Sequence, residues 1–255
     1  MDLLTGLLPA GLDPVAAAIL VAASFFTSAL TAAFGVGGGV FMLALMGLMV
    51  PVAALIPVHG AVQLGSNTGR AWHQRAHIHW PVLVPFMLGA VIGSVAGGFI
   101  VLELPDALMK LLLGAFIIAV TWTKIPGFER LSRGGLAFGG AVIGLITMAV
   151  GATGPLMAAF LNQFLSGNRK AIVSTHAALM TVLHALKIVV FGALGFAFAR
   201  WLPLVAAMIA TGYAGTVWGT TLLERMPEEA FRKWFRIVLT VLALDLLRRG
   251  VTGFL

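Results

Sequence analysis

Long apolar runs follow one another along the whole chain, and short polar or glycine-rich breaks separate them. Leu, Ala, Val, Ile and Phe fill the runs without strict alternation of polar and apolar positions. This favours membrane helices over the strands of an outer-membrane barrel. The pattern predicts ten helical segments, over residues 14–34, 40–53, 55–72, 80–102, 107–122, 135–150, 155–165, 171–198, 202–222 and 231–248.

The second, third and seventh segments are short, and each lies beside a glycine break or a proline. Crossing the hydrocarbon core of a bilayer takes ~20 apolar residues. We therefore expect these segments to form broken or re-entrant helices. At membrane depth such helices must be buried in protein or line a cavity, because lipid cannot satisfy their free backbone groups.

The composition indicates that lipid is the solvent for much of this chain. Hydrophobic residues make up 60% of it and charged residues only 10%, whereas a soluble domain carries about 25% charged residues. The net charge of +7 would suit nucleic acid, but the basic residues lie in short loops between apolar runs, where they set membrane topology. We therefore expect a lipid bilayer and no nucleic acid as partner.

The chain has no cysteine, which excludes disulfides, thiolate nucleophiles and cysteine-ligated metals. His73, His77 and His79 lie in one polar loop beside arginines and without nearby acids. We interpret that loop as solvated rather than as a metal site. No metal and no cofactor is expected. The N-terminus lacks a basic stretch, so the first apolar run is expected to stay as a helix and not to be cleaved.

The second half of the sequence repeats features of the first. The glycine break 35–39 matches the break 151–154, about 115 positions later. Polar stripes follow both breaks with spacings of 4, 4 and 3 and a common offset of 117: His59, Gln63, Asn67 and Arg70, then His176, Met180, His184 and Lys187. Gly89, Gly93 and Gly97 match Ala207, Thr211 and Gly215 at an offset of 118.

The repeat predicts a half at 1–123, a cytoplasmic connecting loop at 124–134 and a second half at 135–255, all within one membrane domain. Five segments per half is an odd number, and so are three crossings if the second and third segments form a re-entrant hairpin. The halves would therefore be inverted relative to each other, as in many secondary transporters with broken helices near the midplane.

Each stripe stays on one face of its helix, because these spacings keep close to 3.6 residues per turn. Lys187 lies in an apolar stretch far from a segment end, and Asp245 is the only acid that we expect to lie deep. An intramembrane cation of this kind is a functional candidate by default. The interior polar groups are thus cationic or neutral, which favours an anion as ligand.

Structural alternatives exist for several of these residues. Arg70 would then begin a cytoplasmic loop and extend to the membrane surface. Gln63 and Asn67 would serve as hydrogen-bonding contacts between helices. Lys187 would form an ion pair with Asp245 that holds the bundle together.

The glycine breaks complete the predicted anion site. Val40 and Pro155 each open a helix directly after a break, and the second break also contains Thr153. Helix N-termini present free N–H groups and a partial positive charge. Two such termini aimed at the centre would hold an oxyanion from both sides.

The stretches AAFGVGGGVFMLALM, PVHGAVQLGSNTGRAWHQRAHI, VGATGPLMAAFL and STHAALMTVLHALKIVVFG resemble the TauE/SafE sulfite exporter family, over essentially the whole chain. The resemblance implies a permease of the bacterial inner membrane that moves sulfur-containing anions. With it, the expected fold is an all-α integral membrane protein with about eight transmembrane helices, short broken or re-entrant helices and two inverted repeats. The family's motif positions are Gly35, Gly37, Gly38, Gly39, His59, Gln63, Asn67, Gly151, Gly154, Pro155 and His176.

The expected function is secondary transport of a small sulfur-containing anion such as sulfite or an organosulfonate, with possible assembly of the chain into a homo-oligomer. The candidate binding residues are the motif positions together with Arg70, Thr153, His184 and Lys187. An intramembrane enzyme is the first alternative, but Ser174 and His176 are two positions apart and point to different helix faces. An accessory membrane subunit that only packs is the second.

Overall fold

The computed structural model of the chain describes residues 8–9, 12–34, 37–123, 132–165, 168–222 and 228–254. These residues form ten α-helices and two 3₁₀ turns, with no strand among them. The helices are α1 Pro14–Phe34, α2 Gly38–Met49, α3 Val52–His73, α4 Trp80–Leu102, α5 Asp106–Trp122, α6 Arg133–Val150, α7 Gly154–Phe164, α8 Arg169–Ala193, α9 Leu202–Leu222 and α10 Glu228–Thr252. The 3₁₀ turns are Arg75–His77 and Phe198–Trp201.

The ten predicted segments correspond to these ten helices, but several bounds differ, and two of the differences have clear local reasons. α3 has 22 residues and is not short, because the carbonyl of Pro51 accepts from the N–H groups of Ala54 and Leu55 and starts the helix early. α8 ends at Ala193, five residues before the predicted end, since Gly195 takes a φ of 92° and turns the chain. The connecting loop falls mostly on residues 124–131, outside the described ranges.

Four helices in the described ranges are long and apolar enough to cross a membrane: Pro14–Ala32, Trp80–Val101, Lys170–Ala193 and Phe198–Gly219. Gly38–Met49 and Gly134–Val150 are shorter apolar helices. The short helices α2 and α7 have 12 and 11 residues. At ~1.5 Å per residue, neither reaches across ~30 Å of hydrocarbon.

The long helices pair between the two halves of the chain. α4 packs along α6, α1 along α9, α5 against α10 and α3 against α8. Glycines allow close approaches in two of these pairs, because a Cβ on Gly89 would lie 1.7 Å from the carbonyl oxygen of Ala137, and one on Gly215 would lie 2.0 Å from that of Phe25. Both glycines therefore serve close packing between helices.

Two apolar cores result, and α8 belongs to both. Leu179 and Leu183 in its first half join a core shared with α4, α6 and α7. Val190 and Phe191 in its second half join a core with α1, α2, α3, α5, α9 and α10. The polar face of α8 lies against α3, which places both polar stripes at the centre of the bundle.

Candidate functional site

The two polar stripes face each other where α3 packs against α8. The rings of His59 and His184 meet edge to face, with centroids 5.9 Å apart. Both side chains are buried, with 0% and 1% of their surface exposed. Sequence spacing predicted that each stripe keeps to one face of its helix, and the fold brings the two faces together.

One histidine of each stripe binds the backbone of a short helix. His59 Nε2 lies 3.0 Å from the carbonyl oxygen of Gly39, in the first turn of α2. His176 Nε2 lies 3.1 Å from the carbonyl oxygen of Gly154, in the first turn of α7. A carbonyl only accepts, so both rings carry their proton on Nε2. These bonds tie the start of each short helix to the long helix beside it.

A polar cavity lies between these elements. Its empty volume is about 380 Å³, which includes the space at its opening. No acidic residue lines it among the described residues. Ten of the predicted binding residues are in its wall. The lining residues are Thr31, Gly37, Gly39, Val40, His59, Gln63, Asn67, Arg70, Ala152, Gly154, Pro155, His176, Met180 and His184.

The N-termini of α2 and α7 both open onto this polar cavity. Gly37 ends the first break with a φ of 110°, a conformation suited to glycine, and α2 starts at the next residue. Gly154 starts α7, with Pro155 in its first turn. The first N–H groups of a helix have no acceptor within it, so two partly positive ends converge on the cavity from different halves of the chain.

Three buried side-chain nitrogens in the polar cavity lack a hydrogen-bond partner among the described residues. They are Nδ1 of His59, Nε of Arg70 and Nδ1 of His184. Leaving a buried polar atom unsatisfied costs about 1–3 kcal/mol. These atoms belong to residues that line the polar cavity, and a polar ligand or water that reached them would remove that cost.

Arg70 is held at the edge of the polar cavity by its own helix. Its Nη2 donates to Oδ1 of Asn67 at 2.9 Å, and Asn67 Nδ2 donates to the Gln63 carbonyl at 2.8 Å. Both hydrogen bonds stay within α3, so they do not join helices, as one alternative required. The Arg70 side chain is half-buried and lines the cavity, and no carboxylate within the described ranges pairs with it.

Lys187 does not line the polar cavity. It is completely buried, and its ammonium donates to the carbonyl of Gly151. Asp245 instead pairs with Arg248 at 2.6 Å and with Arg249 at 2.9 Å, and its side chain is 30% exposed. The alternative of a Lys187–Asp245 ion pair, and the placement of Asp245 deep in the bundle, are therefore wrong.

The other predicted binding residues that the structure describes contact neighbouring residues and do not line the polar cavity. Gly38 packs against Thr27 and Thr31, and Gly151 against Leu43 and Ile56. Thr153 is buried, and its hydroxyl donates to Oγ1 of Thr147 at 3.1 Å. Gly35 lies outside the described residues.

Four lining residues were absent from the candidates: Thr31, Val40, Ala152 and Met180. A signal existed for Thr31, a polar residue one turn before the first glycine break. Met180 occupied a stripe position but was apolar. The part of the chain that the structure describes contains no group of three His, Asp or Glu side chains suited to a metal ion.

The chain is similar to a known family over most of its length. The family model described as Sulfite exporter TauE/SafE matches residues 20–246. No curated protein and no solved structure matches the chain.

Proposed function

Since the chain belongs to the TauE/SafE sulfite exporter family, we propose that it binds a small sulfur-containing anion, such as sulfite or an organosulfonate, in the polar cavity and carries it across a membrane. The family is one of membrane transporters, and the apolar helices make this chain a multi-pass membrane protein. A bacterial inner membrane is its proposed location.

The chemistry of the cavity wall carries this proposal. Arg70, three histidines and two helix N-termini face one space that no carboxylate lines among the described residues. An anion there would gain charge-assisted hydrogen bonds from Arg70 and backbone N–H groups. A cation would meet the like charge of Arg70 and two positive dipole ends, with no carboxylate in the described lining to offset them. The unsatisfied Nε of Arg70 supplies a further donor for an oxyanion, and the unsatisfied Nδ1 of His59, which accepts, supplies a place for a water beside it.

We further propose that the halves 1–123 and 135–255 are inverted repeats joined by the loop 124–134. Under that exchange α1 corresponds to α6 and α4 to α9, so the α1–α9 and α4–α6 pairs are equivalent. The bond from His59 to Gly39 likewise corresponds to the bond from His176 to Gly154. Two related halves around one site support alternating access.

The transported charge supplies a driving force for export. Moving one negative charge out of a cell that is negative inside releases about 2.3 kcal/mol per 100 mV. An enzymatic role has less support: the hydroxyl of Ser174 donates to the carbonyl of Lys170 at 2.6 Å, within its own helix, and not to His176.

Sulfite uptake into proteoliposomes, together with sulfite-dependent thermal stabilisation in detergent, tests this function. Arg70→Gln should weaken sulfite binding about 10–100-fold, the effect of losing one charge-assisted hydrogen bond. Arg75→Gln is the matched control, because Arg75 is exposed in the 3₁₀ turn that follows the same helix. Native affinity in Arg70→Gln would rule out the polar cavity as the binding site. Sulfate, thiosulfate and small sulfonates in the same assay would rank the substrates.

A further inference from the structure

A second, mostly apolar cavity lies at the other end of the α3–α8 contact. Val52 and Pro57 of α3, Phe191 of α8 and Leu104 after α4 are among its lining residues, and Asp106 is the charged residue in that lining. Its empty volume is about 800 Å³, which includes the space at its opening. We call it the apolar cavity. It shares no lining residue with the polar cavity.

Lys187 lies in the wall between the two cavities. On α8, His184 lines the polar cavity and Phe191 lines the apolar cavity, seven residues further on, and Lys187 is between them. On α3, Pro57 lines the apolar cavity and His59 the polar one. The next residue, Gly60, packs on Lys187, and a Cβ added to Gly60 would lie 3.2 Å from Cβ and Cδ of that lysine.

Gly151 holds the ammonium in this wall. The ammonium of Lys187 is bound to the carbonyl of Gly151, at the end of α6. Ile56 and Leu43 pack directly on Gly151, since a Cβ there would lie 2.9 Å from each. Gly151 has a φ of 78°, which a larger residue rarely adopts.

Separating the two cavities does not explain why Lys187 is charged. A Leu or Met would fill the same space without the cost of burying an ammonium. No carboxylate in the described ranges pairs with Lys187, and an ammonium has three protons to donate. A backbone carbonyl holds the ammonium less strongly than a carboxylate would, so an incoming anion can compete for it.

The proposed repeat gives Lys187 a counterpart in the first half of the chain. Arg70 takes the same stripe position in α3 as Lys187 in α8, 117 residues apart. Arg70 lines an open cavity, whereas Lys187 is completely buried. In an inverted repeat, equivalent residues lie on opposite sides of the central site and exchange environments when access alternates.

We propose that Lys187 is the gate residue of the transport path: its ammonium leaves the Gly151 carbonyl, binds the anion arriving from the polar cavity and releases it into the apolar cavity. This inference rests on the proposed transport function. It assigns to Lys187 a role in passage rather than in the initial binding of the anion.

Lys187→Met tests the gate, because it keeps the length of the side chain and removes the charge. Sulfite transport should fall about 10–100-fold, as for loss of one charge-assisted hydrogen bond. Sulfite binding, measured by thermal stabilisation, should stay within about threefold of native. Lys187→Arg should restore part of the transport, because it restores the cation. If binding falls as far as transport, or if transport is unchanged, the gate assignment is overturned and the proposed function stands. If the native chain neither binds nor transports sulfite, the proposed function itself fails.

A second pair of variants decides the matter if Lys187→Met does not fold. Gly60→Ala adds a methyl group 3.2 Å from Cβ and Cδ of Lys187, whereas Gly69→Ala adds one on the same helix with nothing within 4 Å. Gly60→Ala should slow transport severalfold and leave sulfite binding unchanged, and Gly69→Ala should affect neither. Equal transport rates in the two variants would contradict a gate at this wall.

Discussion

The polar stripes of α3 and α8 have the same spacing but different chemistry. The α3 stripe is polar throughout and ends in Arg70 at the cavity. The α8 stripe carries Met180 in its middle and ends in Lys187 inside a wall. All four residues of the α3 stripe therefore line the polar cavity, whereas the last residue of the α8 stripe lies outside its lining. Both stripes lie in the same contact between α3 and α8, so the difference belongs to the side chains of the stripes.

The largest expected effect tests whether the α4–α6 and α1–α9 pairs depend equally on close helix packing. A Cβ on Gly93 would lie 1.9 Å from the carbonyl oxygen of Ala141, and one on Gly215 would lie 2.0 Å from that of Phe25. Gly93→Val and Gly215→Val should each destabilise the fold by ~3 kcal/mol or more, because backbone cannot move aside. Thermal unfolding in detergent measures this. Gly69→Val is the control, and if all three variants melt together the packing argument is wrong.

The next effect compares the two histidine–carbonyl bonds. His59→Ala and His176→Ala each remove a bond to the first turn of a short helix. Each should cost ~1–3 kcal/mol of stability, and the two losses should be similar. Thermal unfolding without sulfite measures the loss of stability separately from any loss of sulfite binding. A large loss in only one variant would show that the two bonds are not equivalent.

A smaller effect is expected where the stripes differ most. Gln63→Met removes an amide from the polar cavity and nearly preserves its volume. It should weaken sulfite binding ~5–10-fold, about one hydrogen bond. Met180→Gln adds an amide at the equivalent position of α8. Combined with Gln63→Met, it should recover most of the lost affinity, and titration by isothermal calorimetry checks both. A Gln63→Met variant that binds sulfite as the native chain does would remove Gln63 from the site.

The smallest effect is expected at Thr31. This residue lines the polar cavity, but its hydroxyl already donates to the carbonyl of Thr27 at 2.9 Å. Its proton is therefore not free for an anion, and Thr31→Val should change sulfite affinity by less than ~2-fold. The same titration measures it. A tenfold loss would place Thr31 in direct contact with the anion.

Sequence spacing anticipated much of the candidate site for a simple reason. His59, Gln63, Asn67 and Arg70 recur at helical spacing, and a charged or polar stripe in an apolar segment must turn away from lipid. Two such stripes and two glycine breaks in a small protein have few places to meet. The four predicted residues that miss the cavity wall among the described residues, Gly38, Gly151, Thr153 and Lys187, are those whose neighbours come from distant segments.

Average hydropathy also gave the wrong length for two helices. Polar residues interrupt one of these apolar runs, and turn-forming residues lie within the other. The third segment is a helix of 22 residues because Pro51 starts it. The apolar stretch after Ala193 leaves the helix because Gly195 turns the chain. Both effects depend on backbone hydrogen bonds and dihedral angles, which average hydropathy does not report.

The sequence by itself determined that this chain is helical, lies in a membrane and carries a cationic polar face on two helices, because those properties depend only on composition and period. Tertiary structure decided which positive side chain lines the polar cavity and which is completely buried. Arg70 and Lys187 are equivalent in the sequence pattern, yet one lines a cavity and the other is bound to the carbonyl of Gly151. That difference arises from contacts between α3, α6 and α8, and such contacts exist only once the helices have packed.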